Sequence, residues 1–251
     1  MPVELYLNHE TRVAAQARLL ELSHGAREPQ AIIEQSYQTF ANNGLALVSS
    51  FGAESAVLLH MVASVDQSIP VLFLDTGKHF TATLEYRKQL TTNLGLQNVQ
   101  DITPLQENLK RDDPYGALSM TDKDRCCFLR KVEPMTRAVA PYQAWMTGRK
   151  QFQAATRQQL PVFEAVGVRI RINPLAHWNS DDLLAYMRHH DLTVHPLTLQ
   201  NYRSIGCMPC TRPVEEGEDQ RAGRWAGSDK VECGIHLSDL SEQLEQKGVS
   251  K

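Results

Sequence analysis

A strand–loop–helix unit that occurs twice in succession most constrains the fold of this chain. The first copy has an apolar run at residues 45–48, a turn of Ser and Gly residues, and an apolar-periodic segment at 54–65. The second copy has an apolar run at 70–74, a polar loop, and a helical segment at 79–94. Strands that alternate with helices predict a parallel sheet with right-handed crossovers. Ligands of such sheets bind beyond the carboxyl ends of the strands.

Other segments extend this pattern on both sides of the repeated unit. The remaining predicted elements are helices at 10–24, 30–43, 128–140 and 180–190 and strands at 99–102, 144–147 and 168–172. Pro134 is expected to kink or shorten the helix that contains it. Ser180 is the predicted N-cap of the last helix, and the strand at 168–172 is predicted to lie at an edge of the sheet.

The C-terminal part of the chain has a different character. From about residue 191 it is rich in Gly, Pro and charge, and its periodicity is weak. A length of 251 residues fits one large α/β unit or two small domains, and no convincing linker divides it. We therefore predict an α/β nucleotide-binding domain at 1–190 and a loop-rich extension at 191–251 that belongs to the same unit.

The charge balance limits the partners of the protein. Its 26 basic and 29 acidic residues give a net charge of −3, which argues against a polybasic nucleic-acid or membrane-surface binder. No stretch approaches the roughly 20 apolar residues of a membrane helix, and the N-terminus lacks the pattern of a secretory signal. We predict a cytoplasmic protein that binds neither nucleic acid nor membranes and whose anion site is a local pocket.

Two loops at one edge of the predicted sheet suit a nucleotide. Residues 49–55, S-S-F-G-A-E-S, join the first strand to its helix, where small residues and a helix N-terminus favour a phosphate. Neither of the common nucleotide-loop motifs is present, and a tight turn with a capping serine is an equally good interpretation of this loop alone. Leu74-Asp75-Thr76-Gly77 ends the second strand at the same edge, so one ligand could lie between the two loops.

Four of the five cysteines occur in two pairs, Cys126 with Cys127 and Cys207 with Cys210. Thiolates favour zinc or an iron–sulfur cluster. Adjacent residues rarely direct both side chains to one zinc ion, whereas a cubane offers ligand positions on separate irons. The alternative is a buried cysteine pair and a separate redox dithiol.

The fifth cysteine, Cys233, lies in the sequence E-C-G-I-H close to Arg221, Arg224 and Lys230. Lone cysteines are more often inert than reactive. Nearby cations can stabilise a thiolate or bind an anion beside it, so this cysteine is a candidate nucleophile.

Together, these features resemble the assimilatory sulfonucleotide reductases, specifically the iron–sulfur-containing adenylyl-sulfate (APS) reductases of the APS/PAPS reductase family. The resemblance covers about residues 30–236. The motifs that carry it are Cys126-Cys127 with Cys207-Met-Pro-Cys210, Lys131-Val-Glu-Pro134, Trp145-x-x-Gly148 leading to Arg157, and Glu232-Cys-Gly-Ile-His236. It implies the three-layer parallel-sheet fold of the PP-loop superfamily (adenine nucleotide alpha hydrolase-like), with a loop-rich C-terminal tail.

The resemblance also implies a mechanism and a set of site residues. The four paired cysteines would ligate a [4Fe-4S] cluster, and Cys233 would attack the sulfur of adenylyl sulfate to release AMP and form an enzyme S-sulfocysteine. A thioredoxin or glutaredoxin would then release sulfite, in sulfate assimilation towards cysteine. His236 is expected to orient the nucleophile or to contact substrate. The other implied substrate-binding residues are Ser49, Leu74, Lys131, Arg157, Arg221 and Arg224.

Three alternatives remain at this point. A reductase of the 3′-phosphorylated nucleotide, PAPS, is closest, although typical members lack the cluster cysteines. The others are an ATP-dependent PP-loop enzyme, such as a tRNA-thiolating protein, and a zinc-stabilised binding module. The sequence leaves open the roles of Arg149 and Lys150, which replace an Arg pair of the relatives, and is compatible with a homo-oligomer.

Overall fold

A six-stranded sheet lies at the centre of the computed structural model, which describes residues 8–40, 44–228, 230 and 232–236. The strands are β1 Leu45–Ser49, β2 Val71–Leu74, β3 Val99–Ile102, β4 Ala144–Thr147, β5 Phe163–Val166 and β6 Arg169–Ile172. Their order is β3-β2-β1-β4-β6-β5, and every neighbouring pair is parallel except β5 with β6. The predicted α/β class with a mostly parallel sheet is therefore confirmed.

Helices cover both faces of this sheet. They are α1 His9–His24, α2 Pro29–Thr39, α3 Ser55–Val65, α4 Thr81–Asn93, α5 Gln106–Asp112, α6 Leu118–Thr121, α7 Lys123–Cys127, α8 Glu133–Val139 and α9 Ser180–His189. None of these described helices is long and apolar enough to cross a membrane.

The alternating side chains of the strands divide the core into two layers. Leu45 and Leu47 of β1 pack with apolar residues of α1 to α4 and α9, whereas Ala46 packs with the helical segment at 128–139. The period of two along a strand produces this division, because successive side chains point to opposite faces. The result is a three-layer arrangement whose strand ends on one side remain available for a ligand.

One predicted strand position and one predicted helix cap are wrong. The strand at Arg169–Ile172 is not at the edge, because the unpredicted β5 pairs with it and covers its outer side. Helix α9 is capped by Asn179, whose side chain accepts hydrogen bonds from the backbone of Asp181 and Asp182, and Ser180 is the first helical residue. The part of the second predicted helix at 41–43 lies outside the described residues.

The helix predicted at 128–140 divides at its proline. Residues Phe128–Val132 form a π-helix, in which the Glu133 N–H reaches back five residues to the carbonyl of Phe128, and α8 follows. In a regular helix the Pro134 ring would clash with the carbonyl four residues earlier. The wider turn avoids this clash and places Lys131 beside the end of α7.

Beyond α9 the described chain contains short 3₁₀ turns, at Pro196–Gln200, Met208–Cys210 and Gly234–His236, and an isolated β-bridge between Thr211 and Arg224. This agrees with the loop-rich character expected after residue 191. The remainder of the predicted extension, 237–251, lies outside the described residues, and the domain boundary itself stays a prediction.

Candidate active site

A cavity of about 390 Å³ lies where β1, β2 and β4 end. Its walls come from the turn after β1, from Leu74 of β2, from residues 148–150 after β4, and from tail segments at 203–206 and 219–225. The position beyond the carboxyl ends of the strands is the one expected for a ligand of a parallel sheet. The tail closes the side of the cavity that the sheet leaves open.

The turn after β1 is held in shape by its own side chains. Phe51 has a φ of 47°, which is unusual for a bulky residue, and its buried ring packs edge-on against Phe73 at 5.6 Å. Ser49 Oγ accepts a hydrogen bond from the Phe51 N–H, and Ser55 Oγ accepts one from the Gly52 N–H. Both serine hydroxyls therefore bond to the backbone of the turn, as the capping-serine interpretation expects. Ser49 also lines the cavity, so this interpretation and a contact with a ligand are compatible.

The structure brings most of the sequence-predicted site residues to this one cavity. Those that line it are Ser49, Leu74, Lys131, Arg157, Arg221, Arg224 and Cys233. His236 lies in the 3₁₀ turn that follows Cys233 and is not among the lining residues. The four predicted cations and the thiol therefore share a cavity in a chain whose net charge is negative.

Cys233 is 4% exposed, and its surroundings favour the thiolate. While Cys127 carries its proton, a hydrogen bond from this thiol lowers the pKa of Cys233 well below its usual range; the charge of Lys131, which needs no such proton, acts in the same direction. The Ile235 backbone N–H and the Arg224 guanidinium also favour the anion, and together these groups outweigh burial. The pKa of Cys127 rises in turn, chiefly because that thiol donates the shared hydrogen bond.

Arg224 is held by contacts with other residues of the tail, and it forms no ion pair within the described residues. Its guanidinium carbon lies 4.5 Å from the centre of the Trp225 ring, and Nη1 donates a 3.3 Å hydrogen bond to Ser204. Its buried Nε has no hydrogen-bond partner within the described chain. Gly206 allows this arrangement, because a Cβ there would lie 2.4 Å from Nη2. Burial lowers the pKa of Arg224, so a nearby anion would stabilise its charged form.

Arg157 and Arg221 differ from Arg224 because both approach a carboxylate. Nε and Nη2 of Arg157 donate to the two oxygens of Glu232 at 2.7 and 2.8 Å, and Arg221 Nη2 lies 3.5 Å from Glu232 Oε2. Burial lowers the pKa of Arg221 to about 10, and the Glu232 charge opposes this change. Lys131 differs from both arginines because thiols surround it: burial lowers its pKa, but the charges of Cys207, Cys233 and Cys127 outweigh burial and raise it.

The four paired cysteines lie together at a second, smaller cavity next to the first. Cys126 and Cys127 end α7, and the tail turn at Met208–Cys210 supplies the opposite side. Cations at this cavity include Arg130 and Lys131, and Thr76 Oγ1 lies 3.3 Å from Cys207 Sγ. Within the described part of the chain, no three Cys, His, Asp or Glu side chains are arranged around one metal ion.

The chemistry of these residues fits an iron–sulfur cluster. Its ligand sulfurs bind separate irons, so they need not converge on one point, and a thiolate-ligated cluster is anionic and suits surrounding cations. The four thiols could supply the ligands of such a cluster, and the cations and the Thr76 hydroxyl beside them suit its negative charge.

Comparison with known proteins identifies the family. Residues 44–213 match the model described as the phosphoadenosine phosphosulfate reductase domain. A protein named adenosine 5'-phosphosulfate reductase from Mesorhizobium japonicum is 57% identical over 92% of this chain and 91% of its own length. A protein of the same name from Chelativorans sp. is 59% identical over 88% of this chain and 91% of its own length. The chain belongs to the phosphoadenosine phosphosulfate reductase family.

Solved structures agree with membership of the phosphoadenosine phosphosulfate reductase family. The phosphoadenylyl-sulfate (PAPS) reductase of Candida auris, in a phosphate complex, matches with a TM-score of 0.64 at 25% identity, covering 77% of this chain and 95% of its own. The FMN adenylyltransferase of Candida glabrata matches with a TM-score of 0.55 at 13% identity, covering 94% and 80% respectively, which shows a shared fold. The predicted family and PP-loop fold are both confirmed.

Several residues at the site of this family member were not predicted. Arg149 and Lys150, whose roles the sequence left open, both line the cavity, where Lys150 Nζ lies 2.8 Å from Glu54. Their position directly after a buried strand was the available signal. Arg203 also lines the cavity, but it belongs to a segment without periodicity. The pairing of Glu232 with Arg157 joins residues 75 positions apart, so no local pattern indicates it.

Proposed function

We propose that this protein is an adenylyl-sulfate reductase that converts adenylyl sulfate to sulfite and AMP in sulfate assimilation towards cysteine. The observation that carries this proposal is a buried thiol, Cys233, at a nucleotide-sized cavity lined by four of the family's cation positions. Relatives named adenosine 5'-phosphosulfate reductase, at 57% and 59% identity, support the choice of substrate.

The substrate would lie with its nucleotide on the sheet and its phosphosulfate towards the tail. Ser49 and Leu74 are proposed to contact the phosphate and the nucleotide. Lys131, Arg157, Arg221 and Arg224 would bind the phosphosulfate, which must be neutralised before an anionic thiolate can approach it. The assignment of His236 to the substrate stays a prediction.

The proposed reaction has two steps. In the first, the Cys233 thiolate attacks the sulfur atom of the sulfate group; an S–S bond forms, the S–O bond to AMP breaks, and AMP leaves with the electron pair of that bond. AMP is stable as an anion, so no strong general acid is needed. In the second, a thiolate of a dithiol protein such as thioredoxin or glutaredoxin attacks Sγ of the S-sulfocysteine; a mixed disulfide forms, the bond between Sγ and the sulfo group breaks, and sulfite leaves with its electron pair. The second thiol of the reductant then attacks the mixed disulfide, so the reductant leaves as a disulfide and Cys233 is regenerated as the thiolate.

Cys126, Cys127, Cys207 and Cys210 are proposed to hold a [4Fe-4S] cluster. When bound, the cluster would supply a fixed charged group that ties the tail to α7 beside the substrate, and the electrons of the reaction would come from the dithiol. Lys131 and Arg224 both line the two cavities, so these two cations would interact with the cluster and with the substrate.

A labelling experiment tests the mechanism. Protein purified without oxygen is incubated with ³⁵S-labelled adenylyl sulfate, digested, and searched for the labelled peptide. We expect the label on Cys233, its release by thioredoxin, and no label on Cys233→Ser. Label on another residue, or turnover without any label in the wild type, would refute the mechanism.

The nearest competing function is reduction of PAPS, which is favoured by a relative from Gloeobacter violaceus named phosphoadenosine 5'-phosphosulfate reductase, 38% identical over 86% of this chain. Comparing kcat/KM for the two nucleotides decides between them, and a strong preference for PAPS would exclude our choice. Iron analysis and the visible spectrum test the cofactor separately: a colourless protein with one zinc ion would exclude a cluster.

A further inference from the structure

Glu232 immediately precedes the proposed nucleophile and is tied to two cations of the cavity. Its carboxylate accepts two hydrogen bonds from Arg157, at 2.7 and 2.8 Å, and lies 3.5 Å from Arg221 Nη2. Both arginines line the cavity, but Glu232 does not. The carboxylate therefore contacts the guanidinium groups from outside the cavity wall that they form.

The hydrogen bonds of Arg157 leave part of its guanidinium for a ligand. Nε and Nη2 donate to Glu232, and Nη1 donates to Gln153 Oε1 at 2.6 Å. A guanidinium has five N–H donors, so two remain unused among the described residues, one on each Nη nitrogen. Because Arg157 lines the cavity, these two donors are the ones suited to an anion there.

The position of the Glu232 carboxylate beside a proposed anion site requires a physical explanation. By Coulomb's law alone Glu232 would weaken substrate binding. However, the Arg157 side chain is only 4% exposed, and a buried charge without a partner is strongly destabilising. A bidentate carboxylate also fixes the plane of the guanidinium, which a single charge at a distance would not do. Glu232 is therefore suited to orienting these cations rather than to binding substrate itself.

The same contact fixes the nucleophile. Arg157 belongs to the α/β unit, in the 3₁₀ turn at Ala155–Arg157, whereas Glu232 belongs to the tail. Cys233 follows Glu232 directly, so its backbone position depends on where the carboxylate is held. Cys233 in turn packs against Cys127 and Trp225.

We propose that Glu232 is a positioning residue that couples the anion site to the nucleophile: one carboxylate orients Arg157 and Arg221 towards the substrate and places Cys233 at the cavity. This inference rests on the proposed function, because it assigns those arginines to the substrate anion. It adds a residue that touches neither substrate nor cluster, and it predicts that binding and chemistry fail together when the carboxylate is changed.

The first experiment separates binding from chemistry. Equilibrium binding of adenylyl sulfate is measured in holoenzyme that carries Cys233→Ser, with and without Glu232→Gln. The amide keeps the size of the side chain but loses its charge and one acceptor, so we expect binding to weaken about tenfold, the usual effect of losing a hydrogen bond between charged groups. With Cys233 present, we expect Glu232→Gln to lower kcat about tenfold as well.

The second experiment follows the position of the nucleophile without substrate. Cys233 is buried, so its alkylation by iodoacetamide in the holoenzyme should be slow, and Glu232→Gln should accelerate it because the tail is released. Glu232→Asp keeps the charge and should recover part of the binding and of the protection. Glu218→Gln is the matched control, because it removes the bidentate Arg212–Glu218 pair of the same tail, and neither residue lines the cavity.

The outcomes are distinguishable. Glu232→Gln with unchanged binding and alkylation refutes the coupling, and tighter binding would show that the carboxylate competes with the substrate. An equal loss in Glu218→Gln would refute a specific role, because any tail ion pair would then suffice. Thermal unfolding and the visible spectrum verify that each variant is folded. If the wild type forms no S-sulfocysteine, the proposed function fails, whereas the alkylation rates still test whether Glu232 holds the tail.

Discussion

Adding a single methyl group at Gly206 should displace Arg224 and impair the reaction. A Cβ at this position would lie 2.4 Å from Arg224 Nη2 and 2.6 Å from its Cζ, whereas ordinary contact begins at 3.4 Å. Gly206 is not among the positive-φ residues, so its backbone tolerates alanine and the substitution acts through this contact. The guanidinium must therefore move by about 1 Å.

That movement sets the expected size of the effect. A displacement of about 1 Å at a reacting site can cost about 100-fold in rate, or about 2.7 kcal/mol of transition-state stabilisation. The shift would also disturb the stacking of Arg224 on Trp225 and its 3.3 Å hydrogen bond to Ser204. We expect Gly206→Ala to lower kcat/KM for adenylyl sulfate about 100-fold and to leave the fold intact.

The assay is steady-state sulfite release without oxygen, together with thermal unfolding of each variant. A double-mutant cycle supplies the control: if Gly206→Ala acts through Arg224, it should have little further effect in an Arg224→Ala background. Wild-type kcat/KM in Gly206→Ala would refute the reasoning. So would an equal loss in both backgrounds, because the methyl group would then act on something other than Arg224.

Three further predictions concern stability and the cofactor. Burial lowers the pKa of His195 to about 4, so the neutral ring stabilises the fold fully above pH 6.5, and this contribution is lost as the pH falls towards 4. In urea unfolding, the free energy of unfolding of the wild type should therefore fall between pH 7 and pH 5 by about 2 kcal/mol more than that of His195→Gln. Equal decreases in the two proteins would contradict this prediction. Asp113→Asn breaks the buried 2.7 Å pair with Arg130 and should cost about 3 kcal/mol, measured by thermal unfolding; a loss below about 1 kcal/mol would place the pair among surface-like ones. Cys210→Ser should lower the iron content and visible absorption of the purified protein, and undiminished iron would remove this residue from the proposed ligands.

The elements that the sequence predicts well are those whose side chains follow a simple burial pattern. The short apolar strands β1, β2 and β4 are buried between two helical layers, so their apolar runs are direct evidence of position. β5 and β6 are different, because charged residues interrupt them. Arg171 alternates with apolar residues as an edge strand's solvent-facing residue would, yet it is 1% exposed and lies 2.7 Å from Glu164 of β5. Because Arg171 pairs with Glu164 inside the protein, β6 has the alternating sequence pattern of a strand with one exposed face although it is buried.

The candidate site divides in the same way. Its cations and cysteines belong to motifs at fixed spacings, so the resemblance indicates them, and the parallel sheet explains why they meet at the strand ends. The contacts that position these side chains are not indicated by any spacing in the sequence. The importance of Gly206 follows from the packing of Arg224 on it, and a role for Glu232, which belongs to the E-C-G-I-H motif, follows from its contact with Arg157. Such contacts exist only after the tail has folded onto the sheet.

The π-helix at Phe128–Val132 has a consequence for how this sequence can vary. A π turn holds about one residue more than an α turn, so it rotates the preceding helix by about 100° relative to the following one. Cys127 precedes this turn and Pro134 follows it. Deleting one of residues 128–130 would leave the motifs in their order but turn the cysteine pair away from Lys131. In this stretch the length of the chain carries as much information as the identity of its residues.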